Sequence, residues 1–164
     1  MPSNKSVVVY WVIIGLLLLT TVGLVLRFVV LGKTEPAADG RVVIVLDAPE
    51  RAVVLDEMRQ FLAGIQVMLE AAERNDPAAI AKTARPLGMA AARDVPSGLA
   101  AKLPLEFKTL GFSVHADFDR IAMDAESMQD VRLSMQQLSK TMNKCVACHA
   151  TYQIAVEALA PRAP

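Results

Sequence analysis

The chain has 164 residues, which suggests one domain with an appendage. Its 17 basic and 17 acidic residues cancel, so it lacks the basic excess of a nucleic-acid binder, and no nucleic acid is expected as partner. Hydrophobic residues make up 54%, above the roughly 45–50% of soluble domains, and the excess is concentrated near the N-terminus.

Val7 to Leu26 carries no charge over twenty residues. At ~1.5 Å per residue, a helix of this length spans roughly 30 Å, the hydrocarbon thickness of a bilayer. Tyr10 and Trp11 stand at one end as interfacial aromatics, and Arg27 and Lys33 at the other, where long cationic stems can snorkel. A cleaved signal peptide would have a shorter apolar core of about 7–15 residues and a small-x-small cleavage site. Glu35-Pro36-Ala37-Ala38 is a poor match to that site, so an uncleaved single-pass anchor is expected. Cations flank both ends, so the positive-inside rule gives no orientation.

Residues 1–32 read as the anchor and 33–46 as a linker. Lys33 to Gly40 is polar and small, while Arg41 to Leu46 (RVVIVL) is a β-branched run. No partner run is evident, so a sheet is not expected. The rest, 47–164, reads as four helices. Asp47 and Glu50 form a capping-box signature for the first, whose stripe is Val54, Met58, Phe61, Ile65, Leu69 and Ala72. Asp76 and Pro77 start the second, near 77 to 93, which Pro86 kinks or splits before Asp94–Gly98 breaks it. The third runs from near Pro104 to Ala125, with Leu103, Phe107, Leu110, Val114, Phe118 and Ile121 in its stripe. The fourth runs from near Asp130 to Ala158, with Val131, Met135, Leu138, Met142, Cys145, His149 and Tyr152 on one face. The expected fold is therefore all-α: one N-terminal transmembrane helix followed by an antiparallel four-helix bundle.

Cys145-Val146-Ala147-Cys148-His149 holds both cysteines and one of the two histidines. C-x-x-C-H is the attachment signature of a c-type haem. Each thiol adds across one haem vinyl group, and the adjacent imidazole lies under the iron. On a helix, positions i, i+3 and i+4 share a face, so Cys145, Cys148 and His149 can address one planar group. They also continue the inward stripe of the fourth helix. The expectation is one covalent haem c. A thioredoxin-type C-x-x-C expects a βαβ context, a structural zinc site needs four ligands, and a disulfide between i and i+3 fits a continuous helix poorly. Thioether attachment takes place outside the energy-conserving membrane. That sets the expected location: inner membrane, single-pass, with the C-terminal domain in the periplasm.

The position of the motif adds a further clue. Only fifteen residues follow His149 and none is Met, so a sixth ligand must come from upstream. Four helices ending in C-V-A-C-H-A-T-Y resemble the class II cytochromes c: cytochrome c′ and its low-spin relatives. The likeness covers roughly 47 to 155 and rests on C-x-x-C-H, on Tyr152 three residues later, and on the helix layout. Gln153 departs from it, since the family often has a basic residue there; the anchor departs too, since typical members are soluble. The resemblance implies that the first helix supplies the residue over the distal haem face. A Met there gives a six-coordinate electron carrier, and a non-ligating residue leaves a gas-binding position. The family pattern places an Arg four residues before that position, so Arg51 points to Leu55. Helical geometry instead puts Met58 near the centre of the stripe, with Leu55 roughly 60° away at its edge, which favours Met58. An ordinary core methionine is the plainer role for Met58. His115 is the rival ligand, its plainer reading being a surface histidine near Asp119. Asp56-Glu57 and Asp117-Asp119 read as solvated faces.

The expected function is one-electron transfer between redox partner proteins at the membrane. The alternative is a five-coordinate haem that binds nitric oxide or carbon monoxide without turnover; a haem-free thiol protein is the third reading. No Ser/His/Asp or paired-carboxylate arrangement suggests an enzyme. The resemblance also adds a homodimer through bundle faces to the expectations.

Overall fold

The computed structural model describes residues 4–157. The chain is mostly helical and begins with one apolar helix. Helix α1 (Asn4–Val25) continues into a π-helical turn, Leu26–Leu31. Together they give a 25-residue stretch, Val7–Leu31, long and apolar enough to cross a membrane. Thr20 and Thr21 donate to the carbonyls of Leu16 and Leu17, both at 2.8 Å, so neither hydroxyl is left unpaired in an apolar surrounding. Gly32 ends the turn at φ 65°, a conformation other residues rarely adopt.

The all-α expectation is corrected by a small sheet. Strands β1 (Thr34–Pro36), β2 (Val42–Leu46) and β3 (Tyr152–Val156) pair in the order β1-β2-β3. The first pair is antiparallel, with Thr34 opposite Ile44; the second is parallel, with Val42 opposite Tyr152 and Leu46 opposite Val156. The segment 33–46, read as a linker, therefore contains two strands. Its β-branched run is a central strand, apolar on both faces as parallel pairing favours. Pro36, which cannot donate to a ladder, sits on the edge strand, where that is harmless.

Helix α2 (Ala48–Glu73) starts at the expected capping box. Asp47 accepts from the Glu50 amide at 2.9 Å, and Glu50 accepts from the Asp47 amide at 3.0 Å. Asp76 caps α3 (Pro77–Ala84). Pro86 splits the expected second helix, leaving 3-10 turns at Arg85–Leu87 and Ala91–Asp94. A short helix, α4 (Ser97–Lys102), follows the expected break. Helix α5 (Leu105–Met128) ends at left-handed Gln129, and Asp130 caps α6 (Val131–Thr151). The expected fourth helix reached Ala158, which lies outside the described residues; α6 stops earlier because Tyr152 turns extended and joins the sheet.

Helix α5 packs on α3 and α6, and α2 on α3 and α6. Between them lies a core that includes Ile65, Met68, Ile80, Phe118, Ile121 and Leu138. A second cluster joins the sheet to α2, α4 and the start of α5 through Ile44, Leu46, Val54, Leu99 and Leu103, with Met58, Phe107 and Tyr152 against it. Phe61 and Val114 of the first cluster and Val54, Met58 and Phe107 of the second line one cavity beside the C-terminal end of α6.

Candidate functional site

The C-x-x-C-H segment occupies the last two turns of α6. Cys145 and Cys148 are half-buried and free, and His149 is exposed. Two cavities open beside them. One, of about 210 Å³, is lined by Arg41, Leu55, Met58, Phe107, Cys148, His149, Tyr152 and Gln153, among others. The other, of about 90 Å³, is lined by Glu57, Met58, Phe61, Phe107, Val114, Cys145, Cys148 and His149, with further apolar residues of α2 and α5. Met58, Phe107, Cys148 and His149 line both, so they form the wall between them. The structure thus brings the four sequence-derived site residues, Cys145, Cys148, His149 and Met58, around one region. Leu55 reaches only the larger cavity.

Each side chain is there for a local reason. Leu55 and Met58 lie on α2, the first next to the buried Val54 and the second one turn beyond it. Phe107 is held edge-on by Tyr152, at 5.4 Å between centroids and 88° between planes. Tyr152 donates to Glu106 at 3.3 Å, and burial together with the Glu106 charge raises its pKa. Arg41 donates to the His149 carbonyl at 3.4 Å and to Gln153 at 3.0 Å, while Asp39 holds its other side.

Both thiols are held above the ordinary cysteine range, Cys145 by burial, Cys148 by burial and by the neighbouring Cys145. A redox-active C-x-x-C works through a depressed thiol pKa, so this environment runs against thiol-disulfide exchange. Among the described residues, no three His, Cys, Asp or Glu side chains converge to hold a bare metal ion. A haem asks less of the protein, since the macrocycle supplies four nitrogens and the chain needs only axial ligands. The donor set suits that group: two free thiols three residues apart, an imidazole next to them, apolar and aromatic walls, and a thioether across from them on α2.

Three sequence readings change here. His115 is not a surface residue: it is 3% exposed, its Nδ1 lies 2.8 Å from the Leu87 carbonyl, and its Nε2 lies 3.2 Å from Glu57. With both nitrogens engaged, it does not face the cavities as a ligand. Glu57, read as part of a solvated run, is this histidine's partner and lines the smaller cavity; its spacing from Val54 and Phe61 (i+3 and i−4) was the available signal. Asp117 and Asp119 are likewise engaged, the first with Lys144 and Thr141, the second with the Met89 amide. Arg41 was missed altogether, since it reaches the site through the unexpected sheet.

Compared with protein-family models, curated proteins and solved structures, the chain gives no match. The site therefore stands on its own geometry.

Proposed function

We propose that this chain is a membrane-anchored monohaem c-type cytochrome that carries single electrons. Cys145 and Cys148 are its covalent attachment points, His149 the proximal iron ligand and Met58 the distal ligand. The observation that supports this best is that Met58 on α2 lines one cavity with Cys145, Cys148 and His149 of α6, and a second with Cys148 and His149. A haem supplies reversible one-electron chemistry at its iron. The chain's own part is to fix the thiols on one face of α6, to present His149 beside them, and to wall the site with Phe61, Phe107 and Val114. Apolar walls and the choice of axial ligand are the levers by which a protein sets such a potential.

In this reading α2, α3 with its 3-10 extension, α5 and α6 act as a class II-like four-helix framework, to which the sheet is an addition. Val7–Leu31 spans the inner membrane and the domain lies on the periplasmic side, where thioether attachment takes place. Tethering raises the local concentration of the site near membrane redox partners.

A second reading is favoured by Leu55, which lines the larger cavity beside His149. Were it the distal residue, the iron would stay open to nitric oxide or carbon monoxide. The test is an absorption spectrum of the full chain matured with haem-attachment machinery, taken oxidised, reduced, and reduced with carbon monoxide. Electron transfer through Met58 ligation predicts a sharp reduced α-band that ignores carbon monoxide. A broad high-spin spectrum that shifts with the gas supports the second reading, and no haem band rejects both.

A further inference from the structure

The apolar helix is not joined to the domain by a tether. The Lys33 amide donates to the Lys102 carbonyl at 2.7 Å, and the Val45 amide to the Lys33 carbonyl at 2.9 Å. Lys108 donates to the Val29 carbonyl at 3.0 Å and to Ala100 at 3.3 Å. A Cβ at Gly32 would overlap the backbone of Lys102, Leu103 and Pro104. The end of the apolar stretch is thus clamped against the corner between α4 and α5.

That corner has the composition of a membrane interface. Leu105, the first residue of α5, is 43% exposed, and Leu31, at the end of the apolar stretch, is 58% exposed. Phe112 lies seven residues beyond Leu105, roughly 20° away on the same face of the helix, and is 45% exposed. Between them stands Lys108, bonded to carbonyls and, among the described residues, to no carboxylate, whereas Lys33 and Lys102 of the same corner are paired with Glu157 and with Asp47 and Glu50. Arg27 bonds the Gly32 carbonyl and lies 5.7 Å over the Phe28 ring. Apolar side chains flanking cations without carboxylate partners match the acyl–phosphate boundary of a lipid surface.

We propose that the α4–α5 corner is a second membrane contact, with Leu105 in the interface of a phospholipid bilayer, so that the domain is seated on the membrane and does not swing over it. The occupant is the lipid surface, because this face is continuous with the end of the apolar stretch. The inference rests on the spanning reading of Val7–Leu31 and is independent of the haem. Its consequence for the site is proximity. Phe107, Leu110, Gly111 and Val114 line the smaller cavity and fall within the first three turns of α5, roughly 14 Å along the helix from the seated end.

The test uses the full-length protein in phosphatidylcholine–phosphatidylglycerol vesicles whose acyl chains are brominated near the headgroup. Fluorescence is compared with the same protein in unbrominated vesicles. Trp11, the only tryptophan, reports on the span in the wild type. Leu105→Trp and Met128→Trp, each in a Trp11→Phe background, report on the two ends of α5; both sites are exposed, and circular dichroism checks their folding. The expected result is about twofold quenching of Leu105→Trp, as for an interfacial side chain, with Met128→Trp unquenched. Quenching of Trp11 with Leu105→Trp no more quenched than Met128→Trp overturns the seated corner alone. An unquenched Trp11 overturns the spanning reading and the seat with it.

Discussion

Arg41 donates to the backbone carbonyl of His149 at 3.4 Å, so the residue just before β2 secures the end of the helix that carries C-x-x-C-H. The same guanidinium reaches Gln153 at 3.0 Å, the position at which the proposed class II likeness would have a basic residue. In that reading, a cation absent at position 153 in β3 is supplied by a segment more than a hundred residues away. A positive charge near a haem favours the reduced state. Arg41→Ala is therefore expected to keep the covalent haem but lower the midpoint potential by on the order of tens of millivolts, a small effect because Asp39 already offsets part of the charge. Spectroelectrochemical titration reads this, and an unchanged potential would remove Arg41 from the site.

Met58 and Leu55 separate the two haem readings. Met58→Ala is expected to turn a carbon monoxide-insensitive spectrum into a sensitive one, with the mass of the haem-loaded chain otherwise unchanged. Leu55→Ala is expected to leave the spectrum as it was. A wild-type spectrum that already responds to carbon monoxide, altered by Leu55→Ala and not by Met58→Ala, would assign the distal face to Leu55 and the function to gas binding.

His115 makes stability depend on pH. Burial opposes its charge, but the Glu57 hydrogen bond, the Leu87 carbonyl and the Glu57 charge prevail, and its pKa is raised above 6.5. The folded state therefore holds this proton more tightly than the unfolded state does. The stabilisation is complete below the unfolded value and is lost as pH rises through the folded one. The wild-type urea midpoint should fall across that interval relative to His115→Gln, which should start lower. A constant difference between the two proteins at all pH values would show that the pair is not charged.

The sheet joins the two ends of the domain, and its centre is buried. Ile44 is 0% exposed and belongs to the cluster formed with Leu46, Val54, Leu99 and Leu103. Ile44→Ala should cost about 2–5 kcal/mol, the usual range for such a truncation, measured as the shift in urea unfolding. A cost under about 1 kcal/mol would mean that the strand is peripheral to stability.

Much of the fold was legible because its signals are local. The Asp47–Glu50 capping box, the Asp76-Pro77 start and the Pro86 break each act within a few residues. The stripe of α2 placed Met58 opposite the cysteines for the same reason, since one helical period sets both. The sheet was illegible because its pairing is non-local. Tyr152–Val156 meets Val42–Leu46 across more than a hundred residues, and Tyr152 also continues the helical stripe of α6, three residues after His149. His115 was misread because the charged residue one turn on, Asp119, is not its partner. Glu57 and the Leu87 carbonyl reach it from other elements. The six-residue helix α4 is too short to show a period.

Covalent attachment at Cys145 and Cys148 is tested most directly by intact-mass measurement of the full chain. The protein is matured with haem-attachment machinery and denatured before weighing. The wild type should carry the added mass of one haem, and Cys145→Ala with Cys148→Ala together should carry none. A wild-type chain at its bare sequence mass, matured beside a control cytochrome that is loaded, would contradict the account.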